Sequence, residues 1–266
     1  MKRQNIMQIA TELLQKVPLD TLRGVLPDFK GMLEEREYRL MEKLGQKHKI
    51  PIPGMFLRRQ IFAPDGEELK NEYGRSHTVN RNYYNLMFCQ GAGKNPSDLT
   101  PNFGTGYLSI TDTGGTVLGD VDDMVGCIAT SNYDVRYDGT IGLLANAGFT
   151  GNGIVAGTSN AAEDFEGYEL TALIPNGSGA GQMDYSQSEL HAITNSILTL
   201  KDTLIRDINN NSGGPITAEE VGIYTGLFVG TSIYQVMITR DLTGGDVIAD
   251  AAQYRVIYEI TLVYPS

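Results

Sequence analysis

Gln253 to Tyr264 reads QYRVIYEITLVY, and the alternation in this stretch decides the fold. Successive side chains of an extended chain point to opposite faces. Tyr254, Val256, Tyr258, Ile260 and Leu262 therefore share one face, and Arg255, Ile257, Glu259, Thr261 and Val263 share the other. One face is apolar and the other mixed, as in a strand that covers a core on one side and meets solvent or a partner on the other. Ile257 and Val263 on the mixed face make it the first candidate for a contact between subunits.

Working outward, the preceding residues have the same character. Glu219 to Tyr224 leads to a turn expected at Thr225-Gly226, Ser232 to Thr239 forms a further strand, and Gly244-Gly245 predicts another turn. Met55 to Phe62 is a strand closed by Ala63-Pro64-Asp65-Gly66. Thr105 to Ile110 and Thr116 to Leu118 flank Asp112-Thr113-Gly114-Gly115 as a hairpin, and Gly153 to Gly157 is a short apolar strand. His77 to Cys89 fits a strand or a helix equally well.

Leu190, Ile193, Ile197, Leu200, Leu204 and Ile208 break the pattern, because they recur at helical spacing. This predicts a long amphipathic helix opened by Ser186-Gln187-Ser188-Glu189 and closed by Asn211-Ser212-Gly213. One internal helix is not the strand–helix alternation of a parallel sheet. The expected class is mainly β: an antiparallel β-sandwich with a short helical N-terminal segment and one long internal helix.

Residues 1–50 read as the helical segment. Ile6, Ile9, Leu13, Leu14 and Val17 form one apolar face, ended by Pro18, and Leu22, Val25 and Leu26 form a second, interrupted at Pro27. A third helix starts near Asp28 and stops near Gly45, with Phe29, Met32, Leu33, Leu40 and Leu44 on its apolar side. Such short helices cannot cover one another and need the β region or a neighbouring subunit. Pro51-Ile52-Pro53-Gly54 marks the boundary, so the expected division is an anchoring segment over 1–50 and a β-sandwich domain over 51–266.

The net charge is −11, which argues against a general nucleic-acid binder. Its distribution is uneven: residues 1–60 hold 12 Lys/Arg against 7 Asp/Glu, and the rest hold 9 against 25. Such asymmetry marks a segment that docks on a partner. No apolar run approaches the ~20 residues needed to span a bilayer, and Met1 to Lys16 lacks a secretory core. The expectation is a soluble chain made in a cytoplasm, with no membrane insertion.

Candidate chemistry is sparse. Cys89 and Cys127 have no metal-ligand spacing and read as reduced thiols. His48, His77 and His191 lie in no HExxH or HxH pattern, and no G-x-S-x-G prepares a nucleophile. Gly91-Ala92-Gly93-Lys94-Asn95 lacks the earlier glycine and the Ser/Thr of a phosphate loop. Gly119 to Asp123 is acidic enough for calcium but lacks the EF-hand glycine and distal glutamate, and reads as a solvated loop. Asn209 to Pro215 is a polar turn. Tyr83, Tyr84, Tyr133, Tyr137, Tyr168 and Tyr185 are candidates for protein or glycan contacts, although tyrosine is also an ordinary strand residue. No catalytic, cofactor or metal residue is assigned, and no enzyme activity is expected.

Three stretches resemble a family of β-domain virion proteins of tailed bacteriophages, loosely described as neck, collar, tail or fibre proteins. They are RSHTVNRNYYNLM over Arg75–Met87, IVAGTSNAAEDFEGYEL over Ile154–Leu170, and Ile216–Tyr264 with its ITAEEVGIY and VIYEITLVY strands. Ser159-Asn160 and Glu219-Glu220 depart from the family pattern, and residues 1–50 have no counterpart in it. The resemblance implies a virion role without fixing its place in the particle. The expectation drawn from it is a structural component at the head–tail junction, neck, collar or tail that assembles as multiple copies, with portal, neck, capsid or tail proteins as partners. It supplies no catalytic residues. The alternative expectation is a receptor- or glycan-binding fibre module whose tyrosines stack on sugars. A glycan hydrolase would need two carboxylates ~5–10 Å apart, and no pair stands out.

Overall fold

The computed structural model describes residues 29–76, 78–92, 109–119, 142–196, 198–229 and 232–265. They fall into two compact units. One holds residues 29–53, 198–199 and 262–265, and the other holds the rest.

The smaller unit is built on helix α1 (Phe29–His48). Its C-terminus is a Schellman cap, in which the Ile50 amide donates to the Gly45 carbonyl at 2.9 Å and the Lys49 amide to Gln46 at 3.4 Å. Lys49 takes the left-handed conformation, φ 59°, that glycine usually supplies there. Gly45 is buried against Ile52, whose side chain would clash with any Cβ at that position. The Tyr264 amide donates to the Leu198 carbonyl at 2.7 Å, closing the unit from the strand ends.

The larger unit is antiparallel β. Six strands form one sheet: β1 (Ile52–Phe62), β2 (Glu68–Arg75), β6 (Asp184–Tyr185), β7 (Glu189–Ser196), β8 (Thr199–Asn209) and β11 (Gln253–Val263). The order is β2-β1-β11-β8-β6, with β7 paired to β8. A second sheet has the order β10-β9-β5, where β5 is Gly153–Gly157, β9 Ile216–Val229 and β10 Ser232–Ile248. A two-stranded hairpin joins β3 (Ile110–Thr111) to β4 (Val117–Leu118) around the Asp112 turn, and α2 is a helix over Arg81–Ala92. The chain is thus mainly β and antiparallel, as expected, in sheets of six, three and two strands; the pairing by itself does not define two stacked layers of a sandwich.

The alternation of β11 holds from Gln253 to Glu259, where Tyr254, Val256 and Tyr258 are fully buried, and is lost beyond it, where Ile260 and Leu262 are only half-buried like their neighbours. Residues 190–208, expected to be a helix, are instead the hairpin β7–β8. The spacing of four that joins Leu200, Leu204 and Ile208 suits a helix, but it is also two strand periods. Leu204, Arg206 and Ile208 are in fact buried on alternate positions, and the charge on Arg206 concealed that period from a hydrophobic pattern. Asn211-Ser212-Gly213 closes no helix but turns the chain from β8 into β9, with Asn210 accepting from the Ser212 amide.

Two further expectations are corrected. No turn interrupts Thr225-Gly226: β9 runs through it, with Gly226 opposite Gln235 of β10. Gly244-Gly245 is a bulge inside β10, where both glycines take positive φ and the register slips between Leu242 and Asp246. The bulge has a structural consequence. Asp241 and Thr243 are buried before it, and Asp246 and Ile248 after it, so the alternation changes phase across the glycines. Residues 241 and 246 would face opposite ways in a regular strand.

With both carboxylates inward, the two sheets are tied together. The Tyr258 and Ser76 hydroxyls each donate to Asp241 at 2.8 Å. Asp246 accepts from Tyr254 and Arg59 at 2.6 Å and from Lys70 at 2.5 Å. Burial first, and the carboxylates second, push both tyrosine hydroxyls well above their ordinary pKa. They stay protonated and donate, which is the state the two carboxylates require.

Candidate functional site

Two surfaces stand out, one in each unit. On α1, Leu40, Met41 and Leu44 lie exposed at 45–57% of their area. At 100° per residue, Leu40 and Leu44 fall beside Arg36, Lys43 and Lys47, so an apolar stripe runs next to a basic one. Residues 36–49 carry five Lys/Arg and two Asp/Glu.

The second surface is built on α2. Asn82 and Asn85, with Leu86 and Cys89, form its buried side. The Asn82 amide group donates to the Thr111 carbonyl at 2.9 Å and the Met237 carbonyl at 3.1 Å, and accepts from the Thr111 amide. Asn85 donates to Ser109 at 2.7 Å. The helix is thus held by asparagines that satisfy backbone carbonyls in and beside β3 and in β10, and Tyr84, Met87 and Phe88 are turned outward. The buried side is part apolar and part polar, and the aromatic and methionine side chains on the opposite side are left to solvent.

The segment after β5 extends this surface. Arg81 binds the Glu166 carboxylate through two nitrogens and lies 5.0 Å over the Phe165 ring. The Phe165 ring is 6.1 Å from Tyr84, and Tyr168 packs beside Gly115. Tyr84, Met87, Phe88, Phe165 and Tyr168 are each between 38% and 54% exposed. The segment 158–170 carries Glu163, Asp164, Glu166 and Glu169 and no Lys or Arg, so the aromatic surface has an acidic rim. The Arg81 hydrogen bonds are the main cause of a lowered Glu166 pKa, so this carboxyl stays ionised.

This segment is rigidly held. Arg240 donates to the Ala161 and Ala162 carbonyls at 2.8 and 3.0 Å while pairing with buried Glu220 at 2.5 Å. Glu220 in turn accepts the Ala172 amide at 2.9 Å, and the Tyr224 hydroxyl accepts the Leu170 amide at 2.7 Å. The aromatic groups are presented on a fixed platform, which lowers the entropy cost of docking a partner there.

A cavity of about 300 Å³ lies between β1, β2 and β10, lined by Arg59, Glu72, Tyr73, Arg75, Asp241 and Leu242 among others. Of its charged groups, Arg59 pairs with Glu72 and also reaches Asp246, which Lys70 shares, while Asp241 accepts from Ser76 and Tyr258 and Arg75 lies over the Phe56 ring. Burial alone would lower the Lys70 pKa, but its hydrogen bonds to Asp246 and Glu72 outweigh that and raise it. Among the described residues, no group of three or more His, Cys, Asp or Glu is placed to hold a metal ion.

The sequence candidates separate clearly. Tyr84 and Tyr168 are exposed on the aromatic surface, Tyr83 packs against the core, and Tyr185 is buried, so Tyr185 offers no contact to a partner. Tyr133, Tyr137, Cys127 and the acidic loop 120–123 lie outside the described residues, as do His77 and Lys94. Cys89 is a buried free thiol whose pKa is raised by burial. The mixed face of β11 is laced with ion pairs: Arg255 to Asp207 at 2.7 Å and Lys201 to Glu259 at 3.2 Å flank half-buried Ile257. Phe88, Met87 and Phe165 escaped the sequence reading, because the signal that unites Tyr84, Met87 and Phe88 is helical spacing in a stretch that fitted a strand as well. No described helix is long and apolar enough to cross a membrane.

Compared with protein-family models, curated proteins and solved structures, the chain matches none.

Proposed function

We propose that this chain is a structural building block of a tailed-phage virion, at the head–tail junction, neck, collar or tail, that works as multiple copies joined through its helical segment and its β region. The observation that carries the assembly reading is the exposure of three large apolar side chains on α1, Leu40, Met41 and Leu44. Large apolar side chains exposed together on a helix favour association with a protein surface that can cover them. The resemblance of Arg75–Met87, Ile154–Leu170 and Ile216–Tyr264 to phage virion proteins supports a particle as the setting.

Light scattering on the purified full-length chain tests the assembly reading, and a mass that is a multiple of the monomer is expected. A monomer at high micromolar concentration overturns it. The virion setting is tested by incorporation: Leu40→Asp/Leu44→Asp is expected to keep the fold by circular dichroism and to be missing from purified particles. Normal incorporation of that variant would remove α1 from the account.

A further inference from the structure

Resting on the assembly reading above, we infer that the surface receiving α1 is the acid-rimmed aromatic platform of another copy, so that copies join head to tail. The two surfaces match in chemistry. One is an apolar stripe flanked by Arg36, Lys43 and Lys47. The other is an aromatic patch of Tyr84, Phe88 and Phe165, rimmed by exposed Asp164, Glu166 and Glu169.

Two α1 helices meeting face to face would instead bring their basic stripes together, which costs energy unless each is offset. The platform offers the opposite charge and has the Tyr, Phe, Met and Arg composition enriched at the centres of protein interfaces. The charge division of the whole chain points the same way: a basic first 60 residues and an acidic remainder attract between copies. A contact between two different surfaces of one chain is heterologous. Repeated, it closes into a ring or runs on as a filament.

The test uses two full-length variants. Met87→Glu/Phe88→Glu spoils the platform, and Leu40→Glu/Leu44→Glu spoils the helix face. All four side chains are exposed, so both variants are expected to keep the wild-type melting midpoint. Each alone is expected to run as a monomer. Mixed in equal amounts they are expected to form a 1:1 dimer, because the first still has a good helix and the second a good platform. Wild-type association is also expected to weaken at least ~10-fold between 50 and 300 mM salt. This salt arm tests the charge match without any substitution.

If the wild type associates but the platform variant keeps the wild-type mass, the head-to-tail contact is wrong while the assembly reading stands. A mixture that stays monomeric, or association indifferent to salt, also overturns the contact. A monomeric wild type sinks both readings. Saturable glycan binding that is lost in Met87→Glu/Phe88→Glu, with the mass unchanged, would assign the platform to sugars instead.

Discussion

Arg206 lies fully buried with its guanidinium 4.9 Å from the ring centroid of Tyr185, whose hydroxyl is itself bonded to the Ala156 and Ile174 carbonyls. The same guanidinium donates to five backbone carbonyls, those of Asn146, Phe149, Asn152, Ile154 and Ser186. Burial lowers its pKa to about 10, so it remains a cation at neutral pH. One side chain therefore satisfies the carbonyls of the chain entering β5 and of the turn before β7. Arg206→Met is expected to cost about 3–5 kcal/mol, because those carbonyls lose their donors in a dry site. Arg206→Lys should recover little of this, since an ammonium is a compact point charge without the guanidinium's planar fork. Urea unfolding of both variants checks this, and a loss under 1 kcal/mol for the methionine variant would refute it.

Glu220 and Arg240 form a second buried pair, and each also holds the segment 158–172 by its backbone. Removing one partner leaves the other charged and buried, at an expected cost of about 3–5 kcal/mol for Glu220→Met or Arg240→Met alone. The double variant is expected to be less damaged than the sum of the two, by at least 1 kcal/mol. A double-mutant cycle by urea denaturation reads this directly, and strict additivity would show that the pair does not act as a unit. Hydrogen exchange at Thr171 and Ala172 is expected to speed up in every variant lacking Glu220.

Where the sequence could be read correctly, one physical signal dominated. Tyr254, Val256 and Tyr258 alternate without a polar interruption, and β11 is where it was expected. β8 failed because Arg206 occupies a core position that hydrophobicity cannot flag, and a spacing of four fits both periods. The β10 bulge failed because two adjacent glycines look the same in a turn and in a bulge. Only the later pairing of Asp246 with Tyr254, and Asp241 with Tyr258, distinguishes them. For the platform, the sequence named Tyr84 and Tyr168 but not Phe88 or Phe165. α2 buries Asn82 and Asn85 beside Leu86 and Cys89 and exposes Tyr84, Met87 and Phe88, so apolar residues lie on both sides and their pattern does not single out one face.

The cap of α1 offers a stabilising change. Lys49 holds φ 59°, where glycine has no Cβ to strain, and the carbonyls of Gly45 and Gln46 depend on that bend. Lys49→Gly is expected to stabilise the last turn by about 0.5–1 kcal/mol. The readout is amide exchange across residues 44–50, expected to slow about two- to fivefold. Faster exchange would mean that the lysine side chain contributes more than its backbone strain costs.

Asp202 gives a pH test. Burial raises its pKa, against the opposing hydrogen bond it accepts from the Thr203 amide. A carboxyl whose folded pKa lies above its unfolded value, near 3.9, favours the folded state only while it is protonated. That favour is complete at low pH and is lost as the pH rises through the folded value, after which the buried charge is a standing cost. Asp202→Asn keeps an acceptor for Thr203 and removes the charge. It is therefore expected to be more stable than the wild type at pH 7, with the gap closing near pH 3. Urea midpoints at the two pH values measure the difference. A gap of the same size at both, or a variant less stable at pH 7, would show that the Asp202 charge is compensated by a partner rather than penalised by burial.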